Sequence, residues 1–146
     1  MVRDTNFEVD KEIMEVNFLG TVALTKAALP KMIQQQFGQI VVISSVLGKL
    51  SIPRRSAYAA SKHALHGYFD SLRAEVHRDH IHVTVICPGY VDTNLPINAL
   101  QGDGSPNNRT DSDRKGLEPA VFAQKAIRAI EQKKTEIYIG GWKEVL

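Results

Sequence analysis

The sequence predicts an α/β fold, a partial doubly wound parallel sheet with flanking helices. Three observations carry this. Short runs rich in β-branched residues recur at 40–44 (IVVIS), 81–87 (IHVTVIC) and 136–140 (EIYIG). A long stretch with apolar residues at helical spacing stands before each of them. The resulting order, helix then strand three times over, is that of parallel strands joined by right-handed crossovers. No strand precedes the first helix in the 146 residues. A doubly wound domain ordinarily opens on one, so the expected sheet lacks its N-terminal strands.

The first seven residues carry no periodicity. A helix is expected from Asp10, a residue type that caps helix N-termini. Ile13, Val16, Leu19 and Ala23 recur at helical spacing. Beyond Val16 the chain is apolar nearly all round (NFLGTVALTKAALP), which predicts burial on more than one face. Pro30 is expected to bend or end this helix, and Phe37-Gly38 to finish it. The run 40–44 is continuously apolar, as in a strand covered on both faces.

After a loop with Gly48, Ser51 and Pro53, a second long helix is expected from Ala57 to about Asp79, capped by Ser56. Its packed side is Ala60, Ala64, Leu65, Phe69, Leu72 and Val76. Pro88-Gly89 stops the second strand. From Tyr90 to about Gly116 the chain is polar and rich in Gly, Asn and Asp, so it reads as a mobile loop with a local helix near 95–100. A connection of that length in a compact domain is often functional. The third helix, over 118–133, admits Pro119 in its first turn and turns Ala120, Ala123, Ile127 and Ile130 inward.

Composition narrows the partners. The chain is long enough for one domain with a real core. Hydrophobic residues are 43% and charged residues 23%, an ordinary globular balance. The net charge of +2, with no basic run longer than two residues, argues against a nucleic-acid partner. There is no apolar run of membrane-spanning length and no signal-type N-terminus, so the chain by itself reads as cytosolic. Cys87, the single cysteine, excludes an internal disulfide and reads as a buried thiol. Asn108-Arg109-Thr110 matches a glycosylation sequon, a triplet common by chance.

The chemistry concentrates in SSVLGKLSIPRRSAYAASK, 44–62. Tyr58 and Lys62 are four apart near a helix start and therefore share a face. An ammonium beside a phenol, together with the helix N-terminus, favours the phenolate. A tyrosine tuned in this way can exchange a proton with an alcohol or carbonyl oxygen near neutral pH. Ser45 stands just beyond the C-terminal end of a parallel strand, where such sheets build their sites. The alternative is an ordinary surface pair on a helix. His63, His66, His77, His80 and His82 show no convergent ligand spacing, so they read as solvated helix residues and no metal is expected. Ser44-Ser45 sits in no nucleophile elbow, and no Ser–His–Asp order stands out.

Ser45, Tyr58 and Lys62 in YAASK, with Asn17 in MEVNFLG and the segment PGYVDTNL, resemble the catalytic portion of the short-chain dehydrogenase/reductase family. The likeness runs from about Asp10 to Ile139. SIPRRSAYAASKHAL and VTVICPGYVDTNL are more similar still to its membrane-anchored dehydrogenase/reductase member 7 group. The resemblance implies a Rossmann-like sheet and NAD(P)(H)-dependent oxidoreduction of a carbonyl or secondary alcohol on a small, lipid-like molecule. It makes Tyr58 the acid and base, Lys62 its pKa-lowering partner and ribose ligand, and Ser45 the group that orients the substrate oxygen. Asn17 would hold a relay water, or else be a polar helix residue at a kink. Pro88 and Gly89 would pack beside the nicotinamide, and the Val91 backbone and Thr93 would meet its carboxamide, Thr93 being otherwise a loop-capping hydroxyl. The resemblance favours NADP(H) over NAD(H), makes 94–115 a substrate lid, and suggests a homodimer through helices at about 10–36 and 57–79. Full-length relatives often sit at the endoplasmic reticulum membrane.

One part of that pattern is absent. No GxxxGxG or GxGxxG, the glycine-rich turn that cradles a pyrophosphate, occurs in the chain. The expectation is a truncated domain over 1–146, lacking roughly the first four strands and their helices. Such a chain is expected to bind cofactor weakly. Its rival role is that of an inactive fragment pairing with full-length relatives, or of a domain whose site is no longer used.

Overall fold

The computed structural model describes residues 1–107 and 116–140. Its centre is a parallel sheet of three strands in sequence order, β1 Gly38–Ile43, β2 Ile81–Pro88 and β3 Glu136–Ile139. Gly38 pairs with Ile81 and Ile43 with Ile86, while Pro88 pairs with Ile139. The strands therefore end together, and the loops leaving β1 and β2 emerge on one side of the molecule.

The chain opens on α1 (Phe7–Met14), passes through a π-helical turn (Glu15–Leu19) and continues as α2 (Gly20–Gln35). The start lies ahead of the expected Asp10. Asn6 is the cap, its side chain accepting the Glu8 N–H at 3.2 Å. Pro30 does not end the helix. Pro30 and Lys26 are both exposed, so water reaches the carbonyl that the proline leaves unbonded. The end comes at Gln36, in the left-handed region (φ 52°), where its N–H meets Ile33 O and the Phe37 N–H meets Met32 O. The expected burial on several faces fails as well, since Val16, Leu19 and Leu24 are 69%, 52% and 74% exposed.

Helix α3 (Ser56–Val76) begins at Ser56 itself; Arg55 is the N-cap and gives no side-chain cap bond. It lays Leu65, Phe69, Leu72 and Val76 on β2 and β1, against Val42, Ile81, Val83, Val85 and Cys87. Ala60 faces outward and Ala59 is buried in its place. Phe18, Leu29 and Met32 close this core from the first helices. On the other face, α5 (Pro119–Glu131) packs Phe122, Ala126 and Ile130 on Ile86, Ile137 and Ile139. Ala120, Ala123 and Ile127, expected inside, are exposed. That helix carries apolar residues on two sides and the sheet covers one. Val41 and Ile43 of β1 also remain exposed, at 36% and 48%.

The long connection after β2 has more structure than a mobile loop. It contains the short helix α4 (Leu95–Asn98) and bridges at Val91–Leu117 and Leu100–Pro106. Its turn returns to the chain start, where the Asn6 N–H meets Gly102 O at 2.8 Å. Gly116 passes so close to 90–92 that a Cβ there would lie 2.7 Å from Asp92 N and 2.9 Å from the Val91 carbonyl carbon. The sequon at 108–110 and most of the second half of the expected lid lie outside the described residues. No described helix is long and apolar enough to cross a membrane.

Candidate active site

The end of β1 and the first turns of α3 bring Asn17, Ser45, Tyr58 and Lys62 together, while Pro88, Gly89, Val91 and Thr93 follow from the end of β2. β1 runs into Ser44 and Ser45, both buried. Ser45 caps a short 3-10 turn, Val46–Gly48, its Oγ accepting the Leu47 N–H at 3.1 Å. That bond uses an oxygen lone pair and leaves the hydroxyl proton without an acceptor among the described residues. Tyr58 and Lys62 lie one turn apart on α3, with Lys62 Nζ 5.7 Å from the centre of the Tyr58 ring.

The Lys62 ammonium donates to Ile43 O at 3.0 Å, two residues before Ser45. Burial holds its pKa below the ordinary lysine range. Ser44 Oγ lies 3.3 Å from the Lys62 carbonyl oxygen. The Lys62 ammonium thus fastens the end of β1 to the Tyr–Lys turn, with Ser44 packed beside it.

Asn17 reaches the same turn from the π-helical segment. Its Nδ2 donates to Ser61 Oγ at 3.1 Å, and Ser61 Oγ donates to Tyr58 O at 2.8 Å. The π turn adds a residue to the helix and aims this side chain at α3; such turns recur at functional sites. Thr21 Oγ1 donates to the Asn17 carbonyl at 3.1 Å. Ser61, fully buried, is a joint that the motif alone does not single out, though it stands inside YAASK.

At the end of β2, Pro88 closes the strand and the Gly89 N–H bonds Ile139 O at 2.8 Å. The Val91–Leu117 bridge uses the Tyr90 carbonyl and the Asp92 N–H. In a parallel bridge of this kind, the N–H and C=O of Val91 itself point to the opposite edge. Thr93 Oγ1 accepts the Leu95 N–H at 3.3 Å, which is the capping role.

A second cluster lies behind the site. His66, one turn past Lys62, is 6% exposed and so departs from the solvated helix histidines expected. Its Nε2 is 2.9 Å from Ser44 Oγ and 3.7 Å from Cys87 Sγ. Its Nδ1 is 3.2 Å from Glu136 Oε2, which also takes Lys49 Nζ at 2.9 Å. Ligand atoms of His66, Cys87 and Glu136 fall within 4.8 Å of one another. The carboxylate, however, faces one ring nitrogen and the thiol the other, and the Lys49 ammonium already holds the carboxylate. Burial, then Lys49, lowers the His66 pKa. Burial pushes Glu136 up, but hydrogen bonds from Lys49 and Tyr138 outweigh it and hold it low. Burial raises Cys87 to about 11.

A parallel sheet with a serine at one strand end and a Tyr–Lys pair on the next helix defines a class. The chain belongs to the short chain dehydrogenase family, whose model matches residues 1–103. Among similar proteins is Dehydrogenase/reductase SDR family member 7B of Danio rerio, 50% identical over 141 residues, covering 96% of this chain and 46% of that protein. Dehydrogenase/reductase SDR family protein 7-like of Drosophila melanogaster is 45% identical, covering 94% and 43%. The chain spans about half the length of these curated relatives. The member 7 resemblance carried by the motifs agrees with them.

Among solved structures, a short-chain dehydrogenase from Streptomyces avermitilis matches with a TM-score of 0.77 at 27% identity, covering 98% of this chain and 56% of that one. One from Burkholderia cenocepacia J2315, in complex with NADP, matches at 0.76 and 24%, covering 93% and 52%; that likeness speaks for the fold alone.

Proposed function

We propose that this chain is the catalytic portion of an NAD(P)(H)-dependent oxidoreductase acting on a carbonyl or secondary alcohol of a lipid-like molecule. The observation that carries the reading is the connected group Asn17–Ser61–Tyr58 and Lys62–Ile43–Ser45 at the C-terminal ends of β1 and β2. The residues present fit the nicotinamide and ribose end of a dinucleotide; the glycine-rich pyrophosphate turn is not among them. Among the described residues, Lys62 Nζ uses one of its three donors, and the Tyr58 hydroxyl and the Ser45 proton use none. Tyr58 and Lys62 would hold the ribose, Pro88 and Gly89 would border the ring, and the Val91 backbone and Thr93 would meet the carboxamide. When bound, the group supplies or takes up the hydride.

The chain's own residues handle the proton. Ser45 donates to the reacting oxygen and fixes its place. Tyr58 gives that oxygen a proton in reduction and takes one in oxidation. The Lys62 ammonium, partly desolvated, stands 5.7 Å from the centre of the Tyr58 ring. Asn17, held by Ser61, lies on the path by which Lys62 is resupplied with protons. NADP(H) is preferred to NAD(H), as the resemblance of SIPRRSAYAASKHAL and VTVICPGYVDTNL to the member 7 group implies.

The test is titration of NADPH and NADH against the purified, monodisperse chain. Weak saturable binding of NADPH is expected, weakened in Lys62→Ala and to a smaller degree in Tyr58→Phe. No binding by a folded chain would overturn the assignment for these 146 residues.

A second reading, as a pairing fragment, is favoured by the exposed Val16, Leu19 and Leu24 on the first helices. Co-purification with a full-length relative, lost in Leu24→Glu, is its test.

A further inference from the structure

Ser44, His66 and Glu136 stand in the order hydroxyl, imidazole, carboxylate, an order that the sequence does not announce. In hydrolases that order activates a nucleophile. Here it is sealed. Ser44 is 2% exposed, and the Gly48 backbone covers the hydroxyl–imidazole contact so closely that a Cβ on Gly48 would lie 2.5 Å from Ser44 Oγ and 2.7 Å from His66 Nε2. No acyl group can reach Ser44 Oγ, so the line has a different use.

That use is set by where each proton goes. His66 is buried, and its Nδ1 lies 3.2 Å from Glu136 Oε2, close enough for a charge contact but outside hydrogen-bond geometry. A bare Nδ1 there would set two acceptors against each other, so the neutral ring carries its proton on Nδ1. Nε2 is then an acceptor, and the single Ser44 proton goes to it at 2.9 Å rather than to the Lys62 carbonyl at 3.3 Å. The Cys87 thiol, at 3.7 Å, is the weaker second donor. Gly48, packed on this pair, is the last residue of the turn that Ser45 caps.

We propose that His66 is a positioning residue: the Glu136–His66–Ser44 line, fixed in one tautomer, braces the end of β1 and the Val46–Gly48 turn and so sets the direction of the Ser45 hydroxyl. The inference rests on the reading of Ser45 as the group that meets substrate, but its test does not depend on turnover or cofactor.

The Leu47 amide reports the Ser45 contact directly, and the Val85 amide, bonded to Thr135 O in the buried sheet, reports the fold. Native-state hydrogen exchange on the chain is measured for both. In His66→Leu, Leu47 exchange is expected to rise about tenfold or more with Val85 unchanged. In His66→Gln, whose amide can still meet Ser44, most of the protection returns. Ring-nitrogen NMR of the unmodified chain is expected to show the Nδ1–H tautomer of His66. If His66→Leu does not fold, Ser44→Ala removes the hydroxyl alone and is expected to give the same local rise. Equal acceleration at Leu47 and Val85, an unchanged Leu47, or the Nε2–H tautomer would overturn the proposal. Failure to bind NADPH with these amides behaving as expected would instead count against the proposed function only.

Discussion

Raising the pH should destabilise the chain through one buried thiol. Cys87 has no solvent exposure, and its pKa rises from 9.0 to about 11, burial first and the Glu136 charge second. The sign comes from linkage. Once the pH passes 9 the unfolded chain gives up its thiol proton and the folded chain keeps it, so the unfolded state gains and stability falls until about pH 11. Between pH 8 and 10 the loss is about 1 kcal/mol, and it is nearly absent below pH 8. Lys62, lowered by burial, pulls the other way in the same window. The comparison with Cys87→Ala removes it, because both chains carry that lysine. The assay is urea denaturation of both at pH 8 and pH 10, monitored by far-UV circular dichroism. The midpoint of the unmodified chain should fall by roughly 0.3 to 1 M more than that of the variant. Equal falls would show that Cys87 titrates alike in both states and would refute the burial argument.

Three other outcomes are expected. Phe69→Ala empties the centre of the larger core, where the ring is fully buried with Tyr68 5.2 Å away; it should cost about 3 to 5 kcal/mol in the same urea assay, and a cost below about 1 would contradict the packing. Asn6→Ala should lose about 1 kcal/mol and Asn6→Gly only a few tenths, as for a true N-cap; reversal of that order in thermal melts would mean that α1 starts elsewhere. Leu24→Glu with Val16→Glu should reduce self-association in sedimentation velocity while changing stability by less than about 0.5 kcal/mol each, and an unchanged sedimentation profile would clear that helix face of the contact.

Much of the sheet was legible because its signals are local. The runs at 40–44, 81–87 and 136–140 are short and β-branched, and the helices between them imply the parallel order. Tyr58, Lys62 and Ser45 stand out in the sequence because the chemistry proposed for them fixes their spacing. What escaped depends on neighbours that no short window contains. Val16, Leu19 and Leu24 read as buried because they are apolar, yet they stay exposed in the described chain. The inward face of α5 was misplaced because two apolar stripes compete and the sheet selects one. His66 looked like its four solvated companions until Cys87 and Glu136, 21 and 70 positions further on, closed around it.

The π-helical turn at Glu15–Leu19 makes the first helices sensitive to counting. A helix turns about 100° per residue, so removing a single residue from this segment would restore an ordinary helix without breaking the chain's hydrophobic pattern locally. Everything before it would then swing about a quarter of a turn or more about the helix axis relative to α2. Val9 would leave the core, the Asn6–Gly102 tie would open, and Asn17 would no longer face Ser61. The extra residue acts as a phase setting between two halves of one rod. A one-residue deletion there would be expected to do more harm than most substitutions at the same positions.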